Sequence, residues 1–512
     1  MPESDALSRQ RALIDRVAAS LGSSCVRHET HISVVLVAGG LAWKFKKALR
    51  FDFLDFSTLD KRRFYCEEEL RLNRMYAPEL YLGVVAVTGD SVHPVLGGNG
   101  PPLDYAVKMR AFDQAALWSA RIADGRLTVA DIDTWATRLA TLHEAAARAP
   151  AESPWCTPSA LQAIADETLD LLSAHLPESA ERHDARMLRD WEAQQRADLR
   201  AQFLARKAGG FIRECHGDLH CANILTVDGK VEAFDCIEFS ESLRWIDVMN
   251  DIAFTCMDLR FRGSSHCASR LLNAWLEHTG DYAGLPVFAY YEVHRALIRC
   301  KVALLAAAQG EARARRDASD YLAFAVQRVK RPAPALVIMH GFSGSGKTTL
   351  ARMAVEALDA IQIRADIERK RLAGIPALQR GGAALYAEEM TRRVYRHLLE
   401  TARSIVRAGW TAVVDATFLQ REQRSPFAAL AEELGVRFII LSATATENEM
   451  RRRLMLRESA QADASDAGVA ILDRQLACHD PFSSTEEPRV CAVDTTGMTA
   501  DKLRSRLDTF LA

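Results

Sequence analysis

No two cysteines in this chain stand at C-x-x-C spacing, and the eleven present form no regular framework. That excludes the disulfide scaffold that staples small secreted domains, and reduced thiols are expected. No apolar stretch is long enough to cross a bilayer, since the most apolar helical run, residues 296–308, is broken by Arg299 and Lys301. Charge of one sign is also lacking. A formal net charge of −2 offers no overall field for nucleic acid or an anionic membrane, so a partner of that kind needs a local basic patch. The opening Met1-Pro2-Glu3-Ser4-Asp5 has neither the basic nor the apolar stretch of a secretory leader, and a cytoplasmic location without a membrane partner is the expectation. Internal repeats and low-complexity tracts are absent as well.

What is there reads as two or three globular domains. The chain has 512 residues, 49% hydrophobic and 26% charged. Residues 32–38 and 41–47, rich in Val, Leu, Ala and Trp around Gly39-Gly40, predict a β-hairpin. A charged helix over 59–76 follows, then strands over 80–87 and 104–109. From about residue 128 the apolar spacing is helical through 205. Strand-like residues 224–227 and 231–234 flank an Asp228-Gly229 turn. The run Lys330-Arg331-Pro332-Ala333-Pro334-Ala335 resists helix and strand alike, which places a boundary between residues 1–330 and 331–512. Beyond it, short apolar strands over 336–339, 361–364, 411–414, 437–442 and 490–493 alternate with helices, the pattern of a parallel sheet with helical crossovers.

Gly341-Phe342-Ser343-Gly344-Ser345-Gly346-Lys347-Thr348, with Thr349 next, satisfies G-x-x-x-x-G-K-[ST] between an apolar strand and a helix. Glycines let successive backbone N–H groups turn toward phosphate oxygens, and the helix N-terminus adds positive potential. Lys347 is expected to reach the terminal phosphates of ATP, and the Thr348 hydroxyl to hold Mg²⁺. Asp415 ends an apolar strand, the place for an acidic residue that holds the metal through water. Asp366, at the end of the preceding strand, suits a base that takes a proton from an attacking hydroxyl. Arg451, Arg452, Arg453 and Arg457 crowd one helix ahead of the polar run Asp463-Ala464-Ser465-Asp466, and Arg453 and Arg457 share a face. Residues 335–512 resemble P-loop kinases of small molecules, including gluconate-type enzymes, and of polynucleotide 5′-hydroxyl ends. The resemblance implies a nucleoside-monophosphate-kinase-like α/β sandwich. In it Asp366-Ile367-Glu368-Arg369 supplies the base and an Arg clamp for an anionic acceptor group, and Arg453 and Arg457 close as a lid.

Earlier in the chain, His216-Gly217-Asp218 is followed by Asn223, five residues after the Asp, and by Phe234-Asp235 twelve residues later. This resembles the aminoglycoside and choline phosphotransferases, whose H-G-D-x-x-x-x-N variant replaces the H-R-D of protein kinases. The resemblance implies a bilobal α+β, protein-kinase-like domain over 1–330, with Asp218 at the acceptor hydroxyl, Asn223 and Asp235 on Mg²⁺, and Asp251 buttressing the loop. Glu238 is a candidate for the surroundings of the metal. Lys44, in Ala42-Trp43-Lys44, is the expected phosphate lysine, with Lys46 on the same face as a competitor. Glu68 is the expected helix partner, with Glu67 and Glu69 adjacent. No G-x-G-x-x-G loop is present; Glu29-Thr30-His31 stands there instead.

The combination resembles bacterial fusions of an aminoglycoside-phosphotransferase-like domain with a P-loop kinase. It implies ATP- and Mg²⁺-dependent transfer to a hydroxyl of a small molecule or a nucleic-acid end at one or both sites. A regulatory P-loop ATPase on a kinase-like scaffold is the alternative, and a zinc cluster of Cys215, His216, His220 and Cys221 is a lesser one.

Overall fold

The computed structural model describes residues 5–511 apart from 52–53, 177–179, 378, 380–381 and 461–467, and it leaves the side chains of 383–384 and 457–460 undescribed. Two compact units emerge: Met1–Ala174 with Glu192–Asp258, and His175–Trp191 with Leu259–Ala512.

The first unit is built on a six-stranded antiparallel sheet. Its strands are β1 (Val26–Glu29), β2 (Ser33–Ala38), β3 (Leu41–Lys46), β4 (Tyr81–Gly89), β5 (Pro94–Leu96) and β6 (Asp104–Arg110), in the order β1-β2-β3-β6-β4-β5. Gly39 and Gly40 join β2 to β3 with φ of 58° and 75°, the pair of left-handed residues that a tight hairpin turn demands. Alternation then decides the faces. Val34, Leu36 and Phe45 pack on Leu13, Ile14 and Val17 of helix α1 (Asp5–Ser20). Ala42, Val107 and Met109 pack on Cys66 and Tyr81 from the opposite face. Helix α2 (Leu59–Tyr76) starts at Thr58, whose hydroxyl accepts the Lys61 N–H, and it lies against β6 and β4. The rest of the unit is mainly helical. Within it, α3 (Val129–Ala145), the hairpin β7 (Ile224–Val227) and β8 (Lys230–Ala233), and the start of α4 (Val248–Phe261) surround the His216–Asn223 loop.

The second unit holds a five-stranded all-parallel sheet. Helices α5 (Ser265–Thr279), α6 (Leu285–Ala308) and α7 (Ala314–Val329) precede it. The strands are β9 (Ala335–His340), β10 (Ile361–Arg364), β11 (Ala412–Asp415), β12 (Arg437–Thr444) and β13 (Val490–Asp494), in the order β10-β11-β9-β12-β13. Val337, Ile338, Val413, Ile440 and Leu441 are fully buried, so the strands read as unbroken apolar runs. The crossover helices α8 (Lys347–Leu358), α10 (Glu388–Arg407) and α11 (Arg421–Leu434) cover the sheet, with α9 (Ala365–Leu372) following β10 directly.

The proline segment 331–334 lies inside this unit rather than at its edge. Glu292 of α6, with no exposed surface, pairs with Arg260, Arg328 and Arg331, while Asp359 behind α8 pairs with Arg260 and Arg328. Charges this deep are tolerable only when mutually compensated, so the cluster ties the helices before the prolines to the sheet after them.

Candidate active sites

In the first unit, Lys44 on β3 donates to Glu69 Oε1 at 2.9 Å and forms an ion pair with Asp235. Lys46, two residues on, donates to Glu69 Oε2 at 2.7 Å and pairs with Glu238. Glu69 thus sits between two ammonium groups. Burial alone would raise its carboxyl, but Lys44 and Lys46 outweigh that and hold it at about 2. Lys46 has no exposed surface and cannot meet a ligand, whereas Lys44 is 13% exposed beside Asp235.

The helix partner is therefore Glu69, not Glu68. Glu68 lies one residue, about 100° of helix, away and binds Arg71 and Arg244 instead. No sequence rule separates three consecutive glutamates until the helix is docked on the sheet.

Asp218 and Asn223 are in contact: the Asn223 amide donates to the Asp218 backbone oxygen at 3.0 Å and to its carboxylate at 3.1 Å. The amide hydrogens are spent there, which leaves the Asn223 oxygen as its donor atom for a cation. Asp235 has φ of 66°, held by the Tyr81 hydroxyl that accepts its N–H at 3.2 Å. His216 accepts the Asp218 N–H and donates to the Phe234 oxygen, and burial keeps the ring neutral, as that tautomer requires. Asp251 of α4 accepts the N–H groups of His216 and Gly217 and contacts His143 of α3 at 3.2 Å. A side chain at Gly217, whose φ is 84°, would meet the Leu243 oxygen at 2.6 Å, so the loop needs glycine there.

Cys215, His216, His220 and Cys221 do not converge as a ligand set. The grouping with metal-ligand chemistry among the described residues is His143, Cys215 and Asp251. There Asp251 is committed to the loop, and burial pushes the Cys215 thiol well up, away from the thiolate a metal requires.

In the second unit the phosphate loop leaves β9 and enters α8. Gly344, φ 82°, lies so close to the Met450 oxygen that an added Cβ would stand 2.6 Å from it. Thr495 anchors the loop by donating to the Ser345 oxygen, and Gln475 accepts the Ser343 N–H. The buried Ser345 hydroxyl has no hydrogen-bond partner. Lys347 folds onto the Phe342 oxygen at 2.6 Å.

A cavity of about 320 Å³ opens beside the loop, and Lys347, Thr348, Asp366, Arg369, Asp415 and Arg453 are among its lining residues. Ser343, Gly344, Gly346 and Thr349 also border it, while Gly341 and Ser345 shape the loop behind. Asp415 is buried, its carboxyl raised by desolvation despite Arg364 and Lys347 nearby, and it borders the cavity together with the Thr348 hydroxyl. This hydroxyl–carboxylate pair is an all-oxygen donor set and fits a hard cation such as Mg²⁺. Asp366 stands in the first turn of α9. Arg369 donates to the Leu385 oxygen at 2.8 Å, lies 5.0 Å over the Tyr386 ring, and keeps its buried Nε unpartnered.

Of the arginine-rich helix α12 (Glu447–Ala460), Arg453 alone among the described arginines borders the cavity, donating to Thr495 at 3.0 Å. Arg451 and Arg452 pair outward with Glu447, Asp473 and Glu449. The side chain of Arg457 and the Asp463–Asp466 run, residues 463–466, lie outside the described residues. Sequence reasoning missed Arg364, Tyr386, Tyr395 and Gln475 of the cavity. For Arg364 a signal existed, because it alternates with Gln362 on the same side of β10.

Residues 104–288 match the phosphotransferase enzyme family, and residues 336–482 match the AAA domain. An uncharacterized protein of Mycobacterium tuberculosis H37Rv is 29% identical over 454 residues, covering 87% of this chain and 89% of its own. A choline/ethanolamine kinase family protein from Mesorhizobium loti aligns in structure with a TM-score of 0.40 at 14% identity, over 62% of this chain and 96% of that one. A gluconokinase from Sinorhizobium meliloti aligns with a TM-score of 0.26 at 22% identity, over 35% of this chain and 93% of that one. The chain thus joins a segment that matches the phosphotransferase enzyme family to a segment that matches the AAA domain.

Proposed function

We propose that the protein transfers the γ-phosphoryl group of ATP, with Mg²⁺, to a hydroxyl acceptor, and that the P-loop cavity carries this chemistry. The observation behind the reading is that Asp366 borders the same cavity as Lys347, Thr348 and Asp415. A switch ATPase needs a group that orients water; a carboxylate across from the phosphate loop suits proton removal from an acceptor. In this reading Lys347 and the loop N–H groups hold the phosphates. Thr348 and Asp415 hold the metal, which neutralises charge developing between the phosphates. Arg369 and Arg453 bring cations to the acceptor and the transferring group.

The first unit is proposed as a second site of the same kind. Lys44 faces the phosphates, Asn223 and Asp235 hold Mg²⁺, and Asp218 sits at the acceptor hydroxyl. Its Asp235 is paired with Lys44. The acceptor is a small-molecule hydroxyl or a nucleic-acid end, and the compartment is the cytoplasm. The test is a screen of metabolites and nucleic-acid ends with labelled ATP, run on the full chain, on Asp218→Asn and on Asp366→Asn. Labelled product that persists unchanged in both variants would reject both assignments.

A further inference from the structure

Strand β10 is the end strand of the parallel sheet. One edge pairs with β11, Ile361 opposite Ala412 through Arg364 opposite Asp415. Its outer edge carries backbone groups that need partners. Helix α5, before the prolines, supplies two of them from one side chain: Asn273 donates to the Ala360 oxygen at 2.9 Å and accepts the Gln362 N–H at 2.6 Å. One turn on, Glu277 accepts from Arg364 Nη1 at 2.8 Å, and its backbone oxygen accepts from Arg371. These contacts lead into the cavity. Gln362 donates to Asp415 Oδ2 at 3.1 Å, and Arg364, only 7% exposed, borders the cavity along with Asp415 and Asp366.

We infer that Asn273 and Glu277 are positioning residues of the P-loop site, so that a helix from the phosphotransferase-matched segment completes a site whose phosphate loop lies more than sixty residues downstream. The physical reason is the alternation of β10. Gln362 and Arg364 project to one side, and each bridges from α5 to the catalytic end of the sheet. Without Glu277 the Arg364 guanidinium loses a carboxylate that helps fix its direction beside Asp415. Without Asn273 the strand that carries Arg364 loses two outer hydrogen bonds and keeps the one from Tyr282 to the Gln362 oxygen. The inference rests on the nucleotide reading of the P-loop cavity.

The test uses the full chain carrying Asp218→Asn, with ATP hydrolysis as the turnover and Mg·ADP calorimetry as the affinity. Glu277→Gln is expected to lower the Lys347-dependent turnover by about 10-fold to 100-fold, the range for residues that orient metal-site ligands. ADP affinity should stay within about twofold, because the phosphate loop is untouched. Glu277→Asp should recover part of the loss. In an Arg364→Ala background, Glu277→Gln should have no further effect, since its influence passes through that arginine. Unchanged turnover in Glu277→Gln would overturn the inference, as would an equal loss with and without Arg364. A parallel fall of ADP affinity and thermal midpoint would reduce Glu277 to a fold brace and overturn it too. If Lys347→Ala leaves both ADP affinity and turnover intact, the nucleotide reading itself fails and takes the inference with it.

Discussion

Lys347 donates to a loop oxygen, is not packed into the core, and stands where a phosphate would receive it. Replacing it with Ala is expected to leave the melting temperature unchanged while lowering P-loop turnover by about 10²–10³-fold, the usual cost of one preorganised charge donor. Steady-state hydrolysis beside a thermal melt checks this. Asp366 separates transfer from hydrolysis. Asp366→Asn should lower transfer to an acceptor by about 10²–10⁴-fold, the range for a positioned base, and spare nucleotide affinity. If affinity falls in step with transfer, Asp366 belongs to the metal surroundings rather than to the acceptor.

On the scale of elements, the β3–α2 pairing and the β9 terminus each make a claim. Glu69→Gln leaves Lys44 and Lys46 short of the carboxylate between them, and loss of one partner from a buried ionic set typically costs about 3–5 kcal/mol. Glu68→Gln, by contrast, weakens contacts to Arg71 and Arg244, both of which keep Glu214, and should spare turnover in the first unit. Chemical denaturation and turnover of the two variants, side by side, decide between the neighbours.

His340 ends β9, bonded to Ser442 at 2.9 Å and set against the Phe482 ring. Burial, with Arg424 and Lys347 nearby, lowers its pKa from 6.5 to about 4. The folded chain therefore refuses a proton that the unfolded chain accepts. This contribution is complete above the unfolded pKa of 6.5 and is lost as pH falls from there toward about 4. His340→Asn should flatten the decline in urea midpoint between about pH 7 and pH 5; an unchanged slope would show that other groups govern it.

For the molecule as a whole, the packing places α5–α7 with the P-loop sheet. A fragment that begins at residue 331 bares the outer edge of β10 and strands Asp359 without Arg260 and Arg328. It is expected to be less stable and more prone to associate than one beginning at residue 259, as scattering and thermal melts of the two fragments would reveal.

Local pattern was enough for much of this protein. The Gly39-Gly40 hairpin, helix α2, the five parallel strands and both phosphate-handling motifs could be read directly, because each rests on contacts or periodicity within a few neighbouring residues. The sequence likewise singled out Lys347, Thr348, Asp366, Arg369 and Asp415, which border one cavity, since strand ends of a parallel sheet must converge on one side. Three things needed the tertiary structure. Glu69 displaced Glu68 because the rotation of α2 is set by docking, not by spacing. Lys46 was taken from solvent by its place on β3 and left Lys44 to face outward. Asn273 and Glu277 joined the P-loop neighbourhood from across two prolines, because the free edge of a strand accepts whichever polar group the packing brings to it, however far away in the chain.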